Sequence, residues 1–191
     1  MQFITVDYDK SVDRTAFDCI DHPALNQYIA RQASQDQKRN VSRTFMYLDG
    51  RELLGYYTLA TTTIKLDELD PATVAKLPKY PLPAVLLSRL AVDGTAQKKG
   101  IGPRLMKDVF LRIYAISKHA GVAFLAVDAK DERAAAFYEK LGFVVAPNNR
   151  LRLIMETDRF IRVLKDQEEA ARKTAAAPAP AATSAAPAEE A

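Results

Sequence analysis

Apolar side chains recur at helical spacing in the first quarter of the chain. Leu25, Tyr28, Ile29 and Ala33 share one face, while Arg31, Lys38 and Arg39 are left to water. With Asp21 as cap and Pro23 in the first turn, the pattern predicts an amphipathic helix. The period then changes. Phe45 to Leu48 and Leu53 to Ala60 are β-rich runs split by Asp49-Gly50, a hairpin signal. Ile64 to Lys79 reads as a bend and a short helix opened by Asp70-Pro71, followed by the proline-punctuated connection Pro78 to Pro83. The apolar run Ala84 to Leu87 continues through Ser88-Arg89-Leu90-Ala91-Val92 and predicts a long central strand. That strand breaks at Asp93-Gly94. A loop holds Gln97-Lys98-Lys99-Gly100-Ile101-Gly102, and Pro103 opens a helix with the stripe Leu105, Met106, Val109, Phe110, Ile113 and Ile116. A second unit follows, with strand Val122 to Val127, loop Asp128 to Asp131, and helix Glu132 to Leu141 ended by Gly142 as the left-handed residue. Phe143 to Val145 and Leu151 to Met155 supply two more strands. A hairpin followed by alternating strands and helices predicts an α/β fold, a mixed sheet flanked by helices.

The rest of the chain has a different character. Asp158 to Lys173 reads as a C-terminal helix capped by Asp158, with Phe160, Val163 and Leu164 on one face. Residues 174–191 are nearly all Ala, Pro, Thr, Ser and Glu, which cannot offset the entropy of ordering, so a disordered tail is expected. The expected organisation is one domain over 1–157, the helix over 158–173, and the tail. A length of 191 residues, 48% of them apolar, suits one domain of ordinary size. Lys165 onward carries three basic and five acidic side chains, so the whole-chain net charge of +3 rises to +5 for the residues before it. A mildly basic domain is compatible with a nucleotide or nucleic-acid partner without requiring one. No apolar run approaches the roughly 20 residues that span a bilayer, and the start lacks a basic head with a long apolar stretch. No membrane partner is expected. A lone Cys19 forbids an internal disulfide, and with His22 and His119 it offers no metal-ligand cluster, so a cytoplasmic protein without metal is expected.

The glycine-containing loop carries the most chemistry. Backbone N–H groups at the start of a helix face the positive end of its dipole, a site for phosphate or pyrophosphate, and Lys98 and Lys99 add positive charge. An ordinary surface loop with turn glycines fits the same spacing. A dinucleotide fingerprint needs a third glycine and a later acidic residue, and no Gly-Lys-Ser or Gly-Lys-Thr ending is present for a Walker loop.

Gln97 to Gly102 after a strand, followed by Ala136-Phe137-Tyr138-Glu139-Lys140-Leu141-Gly142-Phe143, resembles the acetyl-CoA signature of the GCN5-related N-acetyltransferases (GNAT). The resemblance implies a GNAT fold with acetyl-CoA as co-substrate. It implies that Leu90, Ala91 and Val92 offer backbone to the pantetheine arm, and that the loop Gln97, Lys98, Lys99, Gly100, Ile101, Gly102 and Pro103 holds the pyrophosphate. Tyr138 would lie beside the thioester sulfur. A neutral phenol, with a reference pKa near 10, can protonate the expelled thiolate at neutral pH. Phe137 and Phe143 are assigned to the core, and His22 and His119 to structural or solvent-facing roles.

Leu77 to Asp93, Phe17-Asp18-Cys19 before Leu25-Asn26-Gln27-Tyr28, Ser42-Arg43-Thr44-Phe45, and Ala129-Lys130-Asp131 resemble the acetyltransferase toxins of bacterial type II toxin–antitoxin pairs. That resemblance spans roughly residues 10 to 155. It implies acetylation of the α-amine of aminoacyl-tRNA, a block to translation, a cognate ribbon-helix-helix antitoxin and a homodimer. Lys38, Arg39, Arg43 and Arg89 are then candidates to meet tRNA phosphates, although they also fit a solvated face. Two alternatives share the fold: a housekeeping N-acetyltransferase of a protein N-terminus or small amine, and a non-catalytic acyl-CoA-binding module.

Overall fold

The computed structural model describes residues 2–176. Of the tail expected over 174–191, residues 174–176 instead continue the last helix, and the rest lies outside the described residues.

The N-terminal segment ends in a short strand, β1 (Val6–Asp7). The first helix is broken into α1 (Pro23–Gln27), a π turn over Tyr28–Gln32, and α2 (Ala33–Lys38). Its cap position is His22 rather than Asp21, because Pro23 already occupies the first helical position. The hairpin forms as read, from β2 (Arg43–Asp49) and β3 (Glu52–Ile64), with Gly50 at φ 58° in its turn. Asp70 caps α3 (Pro71–Val74) by accepting from the amides of Ala72 and Thr73. Then come β4 (Leu82–Val92), α4 (Ile101–Ser117), β5 (Phe124–Asp128), α5 (Glu132–Lys140), β6 (Val144–Ala146), β7 (Asn149–Glu156) and α6 (Asp158–Ala176).

Three sequence expectations are corrected within these helices. α4 begins at Ile101, with Gly100 as its left-handed cap, so Pro103 sits third in the first turn, where its missing N–H still costs no bond. Its buried face includes Leu111 and Tyr114, whereas Ile116 is exposed. α6 already includes Asp158, the expected cap, as its first residue, and buries Phe160, Ile161 and Leu164 while Val163 faces out. A helix period of 3.6 leaves neighbouring candidates for the inner face, and packing against α4 decides between them.

The strands form one seven-stranded sheet in the order β1-β2-β3-β4-β5-β7-β6, in which β4 and β5 are parallel. α4, α5 and α6 cover the larger core on one face; α1 and α2 cover a second cluster built on Met46, Leu53 and Tyr56. One buried carboxylate ties the N-terminus to this frame. Asp108 accepts from Thr5 Oγ1 (2.6 Å), the Ile4 amide (2.7 Å) and Tyr57 Oη (2.7 Å), so the buried charge is fully partnered.

Two features of β4 create a slot. Thr58 pairs with Arg89 and Leu59 with Leu87, which leaves Ser88 as a bulge residue; its hydroxyl donates to the Thr58 carbonyl at 3.2 Å. On the other side, β4 pairs with β5 only from Ala84 to Leu87. Beyond Leu87 the two strands part, and the edge of β4 from Ser88 to Val92 faces a gap.

Candidate active site

The gap opens into two adjoining cavities. The larger, about 430 Å³, is lined by Leu90, Ala91 and Val92 of β4, by Gln97, Lys98, Gly100, Ile101, Gly102 and Pro103, and by Cys19, Asp21, His22, Arg133 and Phe137. The smaller, about 60 Å³, holds Tyr138 with Leu87 to Leu90, Val127 to Lys130, Ala134, His22 and Leu25. His22, Leu25 and Leu90 line both.

The loop side is built for close approach. Gly100 has φ 76° and Lys98 φ 60°, so two left-handed residues turn the chain into α4. Among the described residues, the amides of Lys98, Lys99, Gly100, Ile101 and Gly102 meet no protein acceptor, as the first turn of a helix leaves them. These donors at the helix's positive end fit a phosphate or pyrophosphate. Of the residues expected to hold acetyl-CoA, Lys99 alone does not line the cavity. The Gln97 side chain is already engaged, donating to the carbonyls of Cys19 (3.0 Å) and Val92 (3.2 Å), so it fixes the loop rather than presenting its amide outward. Phe137, expected in the core, packs against it and also lines the cavity beside Gly102.

Asp93 secures the turn between β4 and the loop. Burial alone would raise its carboxyl, but the Asp18 amide and the amide and hydroxyl of Thr95 hold it below the ordinary value. A lowered folded value means that its stabilisation is present above the unfolded carboxylate value and is lost as pH falls through the folded one. Asp93→Asn is therefore expected to lower Tm at pH 7 by roughly 3–8 °C. Melting curves taken down to pH 3 should show the difference from the parental protein shrinking in acid.

Tyr138 lies in the last turn of α5, buried, with its ring edge-on to Phe137 (5.1 Å) and Phe143 (5.6 Å). Asp131 caps that helix through the Ala134 amide, and Gly142 (φ 94°) ends it as expected. Burial pushes the Tyr138 phenol above its ordinary value, so at neutral pH it carries its proton. No protein group among the described residues takes a hydrogen bond from its hydroxyl, which faces the small cavity.

Arg89 lines the same cavity with its guanidinium 3.5 Å above the centre of the Tyr28 ring. Tyr28 Oη lies 3.3 Å from Ser42 Oγ, beside Arg43, whose guanidinium donates to Asn40 Oδ1 (2.7 Å) and the Gln37 carbonyl. Lys38 and Arg39 end the same helix, exposed. Cationic groups thus run from the Tyr138 cavity to the end of α2. His119 is exposed past the end of α4, whereas His22, expected to be structural or solvent-facing, stands between the two cavities with Nε2 3.4 Å from Asp131. Cys19 is buried, and burial raises its thiol. Among the described residues there is no group of side chains suited to a metal, and no helix is long and apolar enough to cross a membrane.

Residues 41–145 match the acetyltransferase (GNAT) domain. A tRNA-acetylating toxin of Mycobacterium tuberculosis (strain ATCC 25618 / H37Rv) is 30% identical over 133 residues, covering 70% of this chain and 80% of its own. Among solved structures, the complex of AtaT with acetyl-methionyl-tRNAfMet matches with TM-score 0.76 and 26% identity, over 84% of this chain and 99% of that one. A tyrosine-to-phenylalanine variant of the toxin AtaT, bound to the C-terminus of the antitoxin AtaR and acetyl-CoA, matches with TM-score 0.70 and 28% identity, over 84% and 96%.

Proposed function

Since the chain belongs to the GNAT acetyltransferase family, we propose that it is a toxin that acetylates the α-amine of aminoacyl-tRNA with acetyl-CoA and so blocks translation. One observation carries the acetyl-transfer reading: the slot where β4 parts from β5 ends on free loop amides at one side and on a buried, protonated tyrosine at the other. Acetyl-CoA supplies an acetyl group activated as a thioester. The chain does the rest. Loop amides from Lys98 to Gly102, with Lys98, Lys99 and Pro103 around them, bind the pyrophosphate, and Gln97 fixes the loop. Leu90, Ala91 and Val92 offer the unpaired edge of β4 to the amide-bearing arm. Tyr138 Oη holds the proton that the departing sulfur takes. The α-amine of an aminoacyl ester is acidic enough to be partly neutral near pH 7, so the attacking nitrogen needs no strong base.

The tRNA reading is supported by the mycobacterial relative, a tRNA-acetylating toxin, by the tRNA complex of AtaT, and by the cationic run Lys38, Arg39, Arg43 and Arg89. If these side chains meet phosphates, log affinity should fall with log salt by about 0.7 to 0.9 per contact. Arg43→Gln is expected to flatten the salt dependence by roughly one unit while leaving acetyl-CoA affinity unchanged, as filter binding across salt concentrations would register. An unaltered slope would remove Arg43 from the interface.

We extend the reading to a cytoplasmic homodimer restrained by a ribbon-helix-helix antitoxin; the AtaR complex of AtaT supports the antitoxin alone. Light scattering is expected to give a dimer at micromolar concentration, and a monomer there would contradict it. The organisation proposed is a catalytic domain to residue 157, the helix that follows, and an Ala/Pro-rich tail. For the function as a whole, cell-free translation is the test. The protein with acetyl-CoA should stop it, and omission of acetyl-CoA should spare it. Arrest without acetyl-CoA, or none with it, would count against a toxin acting by acetylation.

A further inference from the structure

The segment from Asp18 to His22 crosses the mouth of the larger cavity and is tied to both of its walls. On the β4 side, the Asp18 amide donates to Asp93 (2.9 Å), the Gly94 amide to the Asp18 carbonyl (2.8 Å), and Gln97 to the Cys19 carbonyl (3.0 Å). Any side chain at position 94 would collide with Ile20, so Gly94 lets the segment lie against the end of β4. Ile20 is held at φ 65° and is 61% exposed, a β-branched residue in left-handed backbone that persists only where its surroundings fix it. On the α5 side the ties run between side chains. Arg133 donates to Asp21 at 3.0 Å, and His22 Nε2 lies 3.4 Å from Asp131 Oδ2, while the other Asp131 oxygen caps α5. Asp21, His22 and Arg133 line the larger cavity, and His22 lines the Tyr138 cavity as well.

We propose that Asp21 and His22, through Arg133 and Asp131, are positioning residues that bridge the slot between β4 and α5 over the arm of acetyl-CoA and retain the donor in line with Tyr138. This rests on the acetyl-transfer reading above. Because β4 and β5 do not pair beyond Leu87, side chains rather than a strand join the two walls here. The donor lies beneath them, and its release requires both pairs to open. Exposed pairs of this kind are weak, so the bridge opens readily enough for turnover.

Stopped-flow release of acetyl-CoA from the full chain tests the proposal. Asp21→Asn, Arg133→Gln and His22→Gln are each expected to release it about two- to fivefold faster than the parental protein. The swapped pair Asp21→Arg with Arg133→Asp should return the rate close to the parental value. In protein without acetyl-CoA, amide hydrogen exchange over residues 18–22 should quicken in the single variants and recover in the swap. Parental release rates in the single variants, or a swap no slower than either single change, would overturn it. A parental protein that shows no acetyl-CoA binding by calorimetry would instead overturn the acetyl-transfer reading, and this proposal with it.

Discussion

Tyr138→Phe is expected to cut acetyl transfer about 10²- to 10⁴-fold, the usual scale for a positioned proton donor, while acetyl-CoA affinity stays close to parental. The ring contacts with Phe137 and Phe143 involve no hydroxyl and survive the change. The hydroxyl gives up no hydrogen bond to a described protein group, so the fold and the slot should persist. Stability should likewise be unchanged within a degree or two of Tm, because no buried partner is left unsatisfied. A steady-state assay paired with calorimetry separates the two quantities. Parental turnover in the variant would move the proton to water or to another side chain.

Gly100→Val is expected to weaken acetyl-CoA binding by about 100-fold or more. The protein itself leaves room for a side chain there, since a Cβ would have no neighbour within 4 Å. The obstacle is conformational. At φ 76°, a β-branched residue is strained by about 1–3 kcal/mol, and the loop relieves that strain by rotating away from the geometry that gathers its amides. Its branched side chain also stands where a phosphate must approach the backbone. Gly50→Val is the control, with φ 58° and no close neighbour, in a hairpin turn that lines neither cavity. It should carry a similar strain and leave affinity untouched. Titration of both variants decides the matter, and equal affinity for both would dissociate the loop from the cofactor.

The parts of the site that were legible in the sequence are those set by local backbone rules. Asp49-Gly50 and Gly142 each mark a turn or helix end by a requirement of one or two residues, and each sits where that requirement is met. The strand over Ala84 to Val92 announced itself by the apolar run Ala84 to Leu87, resumed at Leu90 to Val92, as a strand buried between neighbours does. What stayed hidden depends on pairing across long separations. Nothing in the run Asn149 to Glu156 says that it inserts between β5 and β6. The Ser88 bulge exists only because β3 and β4 pair out of step there. His22 looked like an isolated histidine in a helix-entry segment. Its partner Asp131 and the neighbouring pair Asp21–Arg133 lie more than 100 residues away along the chain, so no spacing could have joined them. Phe137 was assigned to the core and packs against it; that it also reaches the cavity beside Gly102 was not legible. The basic candidates were legible only as charges, and their order from Arg89 through Tyr28 and Ser42 to Arg43 came from packing.

The central claim is that the acceptor is the α-amine of a charged tRNA. Its most direct test is to incubate the protein with labelled acetyl-CoA and a mixture of aminoacyl-tRNAs, then analyse the aminoacyl ends by mass spectrometry beside protein N-termini and small amines from the same reaction. The account predicts label on the nitrogen of aminoacyl ends, absent with deacylated tRNA and lost with Tyr138→Phe. Label confined to protein N-termini or free small amines would contradict it.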